Sequence, residues 1–144
     1  MASILKVDAL QGVTAAGSIL VTGEGNSTTT NLQQGLCKVW INFDNSGSNS
    51  TNDSFNVSSR DDNAVGDSTV NITNNMNNDD YAITYMAGGS HSSSDASNRM
   101  AHCVTDSPAI ATTGYRFSLR ANNSGADAAE DVNANMTLVM GDLA

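Results

Sequence analysis

From Leu36 onward, apolar and polar side chains alternate with a period of two. In "LCKVWINF", Cys37, Val39, Ile41 and Phe43 share one face and Lys38, Trp40 and Asn42 the other, the pattern of a half-buried strand. "TGYRFSLRAN" alternates Tyr115, Phe117 and Leu119 with Arg116, Ser118 and Arg120. In "DVNANMTLVM" the same pattern directs Val132, Ala134, Met136, Leu138 and Met140 inward, and "DYAITYMAG" places Tyr81, Ile83 and Tyr85 on one side. Clusters of Gly, Asn, Ser and Asp separate these runs at the spacing of an antiparallel sandwich. No 3.6-residue period runs long enough to compete. The prediction is an all-β domain over residues 36–144, an antiparallel, jelly-roll-like β-sandwich.

Residues 1–35 follow a different rule. Glycines at 12, 17, 23 and 25 interrupt the segment too often for a long helix. It reads as an extended N-terminal arm with a short helix or strand at 3–10, and its apolar residues Ile4, Leu5, Val7 and Leu10 are the candidates for attachment. The competing reading is an ordinary first strand tied into the sheet.

"SFNVSSRDDNAVGDSTVNITNNM" reads as a hairpin, with Phe55 and Val57 pointing inward on one strand and Val70 and Ile72 on the other. Asp61, Asp62, Asn63, Gly66 and Asp67 form the connection. Asp and Asn bond their own backbone in turns, and glycine reaches positive φ without steric cost. A calcium loop needs alternating ligands and a closing glutamate. No Glu follows and Ala64 and Val65 interrupt the run, so the reading is a structural turn with no metal. "NSGSNSTND" (45–53) and "GGSHSSSDASN" (88–98) read as long polar loops.

Composition narrows the function. About a third of the chain is Ser, Thr or Asn, and only 5% is aromatic, so the apolar supply is lean and association with further copies eases the burden on one core. The net charge of −9 leaves the basic residues Lys6, Lys38, Arg60, Arg99, Arg116 and Arg120 scattered singly. That argues against binding nucleic acid or an anionic membrane surface. No apolar run reaches a bilayer-spanning length, and "MASILKVDAL" lacks a signal-peptide core. The expected site of synthesis is therefore a cytoplasm. Cys37 and Cys103 read as two small thiols or as one disulfide.

No catalytic constellation is legible. "GGSHSSSD" holds Ser, His and Asp side by side, but triad members are assembled by a fold and rarely adjoin in one loop. His91 and His102 have no zinc spacing, and "GEGNST" lacks the lysine of a phosphate loop. The chain reads as neither an enzyme nor a holder of cofactors.

Three stretches, "NLQQGLCKVWINF", "DSFNVSSRDDNAVGDSTVNITNNM" and "DDYAITYMAG", resemble a module of tail-fibre-like virion proteins of marine tailed bacteriophages, as does the opening "MASILKVDALQ". The matching positions are Lys38 to Phe43, Phe55 to Ser58, Asp61 to Asp67, Val70 to Thr73, Met76 and Tyr81. The closing "TGYRFSLRANNSGA" and "DVNANMTLVMGD" are similar too, although Asn77 stands where the family often has proline. The resemblance implies a homotrimeric, β-rich virion protein, synthesised in the host cytoplasm. Its arm would dock to other phage structural proteins of the tail, the baseplate or, in the alternative, the capsid as a decoration. The loop residues Ser90, His91, Ser92, Ser93, Ser94, Asp95, Ser97 and Asn98 are the candidates for contact with a bacterial surface glycan. An arm of this length without a shaft suits a short appendage or a trimer on the capsid surface.

Overall fold

The computed structural model describes residues 4–12, 19–23, 25, 27–47, 49–88, 98–103, 110–123 and 126–144. They divide into two compact units, Met1–Leu36 and Cys37–Ala144.

In the first unit, β1 (Leu20–Thr22) pairs antiparallel with β2 (Thr29–Asn31), and α1 (Leu32–Gly35) follows directly. Asn31 ends the strand and caps the helical turn, its Oδ1 accepting from Gln33 N at 2.8 Å and Gln34 N at 3.2 Å. This is the ordinary role of Asn at an N-cap. Of residues 3–10, where a short helix or strand is expected, the described residues 4–10 carry neither.

The second unit is all-β. One sheet runs β4 (Ser50–Phe55), β3 (Cys37–Asp44), β12 (Ala134–Met140), β7 (Ala82–Gly88). The other is built around the ten-residue β10 (Gly114–Asn123), which pairs with β6 (Asp67–Ile72) and β11 (Ala126–Ala129) along one edge. Along its other edge it pairs with β8 (Asn98–Cys103) and β9 (Ile110–Ala111), and β5 (Val57–Ala64) extends the sheet beyond β6. Every pairing is antiparallel. The chain crosses between sheets at β4–β5, β6–β7, β7–β8 and β11–β12.

The core lies between the sheets. Val39, Ile41, Phe43 and Val139 come from one side and Val70, Ile72, Tyr115 and Phe117 from the other. Phe117 joins them, its ring centroid 5.5 Å from that of Phe43 and 4.9 Å from that of Tyr85. Such tilted contacts suit the ring quadrupoles and add to the area term. The alternation read in β3 and β10 places Val39, Ile41, Phe43, Tyr115, Phe117 and Leu119 in the interior, as expected, and Tyr81, just before β7, is buried too.

β12 has the opposite phase. Asn135, Thr137 and Val139 are buried, while Met136 and Leu138 are 41% and 40% exposed. The expectation that Met136 and Leu138 point inward is thus overturned, because the core on this side is partly polar. Tyr85 Oη donates to Asn135 Oδ1 at 2.6 Å, Asn135 Nδ2 donates to the Val132 carbonyl at 2.8 Å, and the Tyr115 hydroxyl bonds the Thr137 hydroxyl. With partners in place, buried polar groups cost little. A one-residue change of phase turns every side chain of a strand over.

Three further expectations change. Phe55 is 52% exposed. The run "SFNVS" is two strands in different sheets, and the chain turns between them at Asn56, whose φ is +59°. Asn is among the few residues that tolerate this conformation, and its side chain secures the corner by donating to the Lys38 and Asn74 carbonyls at 3.1 and 3.2 Å. Lys38 is buried rather than outward. It is the extra residue of a bulge, since Val39 pairs with Val139 while Cys37 pairs with Met140. Finally, the polar loop expected over 45–53 ends at Asn49, because β4 begins at Ser50.

Candidate functional site

The opposite phase of β12 has a consequence on the outside of the β4–β3–β12–β7 sheet. By register, Phe55, Trp40, Leu138 and Thr84 form one cross-strand row, and Asp53, Asn42, Met136 and Met86 the next. Directly opposed side chains on one sheet face lie close enough to touch. Met86 is 63% exposed, and with Trp40, Met136 and Leu138 it lines a shallow groove of about 450 Å³ that also touches Asn42 and Thr84. No lining residue carries a charge. At the rim, Asn52 Nδ2 donates to Asn42 Oδ1 at 3.1 Å. A contiguous apolar patch of this kind on a polar chain is a candidate contact surface.

This face escaped the sequence reading. Its signal was Trp40, a large aromatic side chain among the polar positions of β3, together with methionines at 86 and 136 in a chain short of apolar residues.

The acidic hairpin is a structural device. The turn proper is Val65 and Gly66, with Gly66 at φ +67°. Asp61, Asp62 and Asn63 belong to β5 and Asp67 opens β6, so the connection is tighter than the five residues suggested. Each acid meets a donor. Arg116 grips Asp67 from two nitrogens, Nε lying 2.8 Å from Oδ1, and this hydrogen bond holds the Asp67 carboxyl below its ordinary range against the opposing effect of burial. Asn71 Nδ2 donates to Asp61 Oδ2 at 2.8 Å, and Asn49 Nδ2 to Asp62 Oδ2 at 2.7 Å. Arg60 lies among these carboxylates, its guanidinium 4.6 Å from the Phe43 ring centroid and donating to Asn45 Oδ1 at 2.6 Å. Burial lowers its pKa while Asp62, Asp131, Asp44 and Asp61 oppose the shift. Asp67 is thus paired with an arginine, and Asp61 and Asp62 with asparagine amides. Among the described residues no group of three His, Cys, Asp or Glu side chains could hold a metal ion.

Of the candidate receptor loop, Ser90, His91, Ser92, Ser93, Ser94, Asp95 and Ser97 lie outside the described residues, and Asn98 opens β8. Cys37 is a half-buried free thiol whose Sγ lies 3.2 Å from the Val39 carbonyl. In the first unit Ile4 and Leu5 are each 79% exposed, with Val7 and Leu10 also exposed. No described helix is long and apolar enough to cross a membrane. Compared with known proteins, the chain matches no family model, no curated protein and no solved structure.

Proposed function

We propose that this chain is a structural protein of a phage virion, of the tail-fibre type, working as a homotrimer. Its N-terminal unit docks to the particle, and its β domain faces the bacterial surface with residues 90–98 as the contact segment. The observation that carries the reading is the separate N-terminal unit, in which Ile4, Leu5, Val7 and Leu10 all face outward within seven residues. Single exposed apolar residues are commonplace, but a run of four offers a partner protein a binding edge. The sequence resemblance supplies the kind of particle. The uncovered apolar face of the four-stranded sheet favours a second reading, capsid decoration, in which the β domain lies against the shell.

The test is incorporation. The parent chain is expected to band with purified phage particles in a density gradient. A variant carrying Ile4→Ser, Leu5→Ser, Val7→Ser and Leu10→Ser is expected to melt like the parent and stay at the top of the gradient. A parent that never bands with particles contradicts the virion reading. A variant that bands like the parent removes the docking role from these residues.

A further inference from the structure

We infer that the outer face of the four-stranded sheet is the surface through which copies of this chain meet. This deepens the homotrimer reading and rests on its premise that the chain works in several copies.

Area is the first reason. At roughly 200 Å² for each large side chain, the exposed parts of Phe55, Met86, Met136 and Leu138 sum to about 400 Å². A standard interface covers about 800 Å² per partner, of which somewhat over half, about 450 Å², is apolar. The face thus supplies about the apolar content of one interface, and Thr84, Asn42 and Asn52 supply a polar rim.

Charge is the second reason, because an uncharged face lets two acidic copies approach. Two chains of net charge −9 repel one another over most of their surfaces. The groove is lined by Trp40, Ile41, Asn42, Thr84, Met86, Met136, Thr137 and Leu138, with no ionisable group among them. By register the acid closest to it on this face is Asp53, at the edge strand opposite Asn42. Copies meeting here bring apolar rows together and keep their carboxylates at the periphery.

The experiment uses the full chain in solution, with mass from light scattering and with the fluorescence of Trp40, the chain's one tryptophan. The parent is expected at two or three times 14.9 kDa, with a blue-shifted emission that moves to the red on dilution. Met136→Asp and, separately, Met86→Lys are expected to weaken association by about tenfold or more, as loss of a central contact does. Both should leave the far-ultraviolet circular dichroism unchanged, since both sites point outward. Should Met136→Asp fail to fold, Met86→Lys, at the more exposed position, carries the test. A parent that is monomeric at high micromolar concentration overturns the inference, as do folded variants that keep the parental mass. A dimer dissociated by these variants upholds the face and refutes the trimer. A trimer that survives them does the reverse.

Discussion

Replacing Gly66 by alanine separates two demands that the hairpin makes of one residue. The first is conformational: φ is +67°, and an L-residue with a Cβ pays about 1–2 kcal/mol to sit there. The second is proximity. A Cβ at position 66 would lie 2.5 Å from the Leu119 carbonyl oxygen, 2.8 Å from Glu130 N and 3.0 Å from Glu130 O. All three are backbone atoms, so relief requires β10 and the segment after β11 to shift. That shift strains two hydrogen bonds, from Leu119 N to Gly66 O at 2.6 Å and from Gly66 N to Asp131 Oδ1 at 2.6 Å. At about 1 kcal/mol net for each, Gly66→Ala should cost about 3–4 kcal/mol. Gly66→Asn, which tolerates the left-handed region, should recover only part of the first term. Gly47 is the internal control. It has φ +58° with nothing within 4 Å of an added Cβ, so Gly47→Ala should cost only the conformational term, about 1–2 kcal/mol. Urea unfolding midpoints at constant m-value give these differences. A Gly66→Ala chain within about 1 kcal/mol of the parent, or one no worse than Gly47→Ala, refutes the close-approach argument.

Adjacent residues of β12 test its phase: Val139→Ala should cost about 2 kcal/mol and Leu138→Ala less than about 1, measured by urea unfolding at low protein concentration. The reverse order would restore the phase expected from apolarity. Phe117→Ala removes a ring packed against Phe43 and Tyr85 and should cost about 3–5 kcal/mol; a loss below about 1 kcal/mol would take it out of the core. Asp67 supplies a pH dependence. Its folded pKa lies below the unfolded value, so its pair with Arg116 stabilises the fold above the ordinary aspartate range, and that contribution fades as pH falls through the folded pKa. Asp67→Asn should cost about 1 kcal/mol or less at neutral pH and converge with the parent in acid. A stability gap unchanged down to the most acidic folded condition would contradict this.

The strands whose inner faces are wholly apolar were legible in sequence. In β3 and β10, Val39, Ile41 and Phe43 and then Tyr115, Phe117 and Leu119 fall at every second position, and the structure buries them. β12 was misread for a physical reason. Its buried positions include Asn135 and Thr137, whose partners Tyr85 and Tyr115 stand 50 and 22 residues away in sequence. No local pattern shows that a buried amide will be satisfied. Lys38 was misplaced because a bulge depends on the register of a partner strand, and Phe55 because one left-handed residue, Asn56, moved the chain between sheets. The apolar face is hidden for the same reason, since apolarity alone sends Met136 and Leu138 to the interior.

The proposed virion assignment is the central claim, and antibody-gold labelling of intact phage particles from a culture producing this chain tests it most directly. The account predicts gold confined to the tail end, at a small whole number of sites per particle. Gold spread over the head would contradict tail attachment in favour of decoration. Particles without gold, beside a lysate rich in the free protein, would contradict the virion role itself.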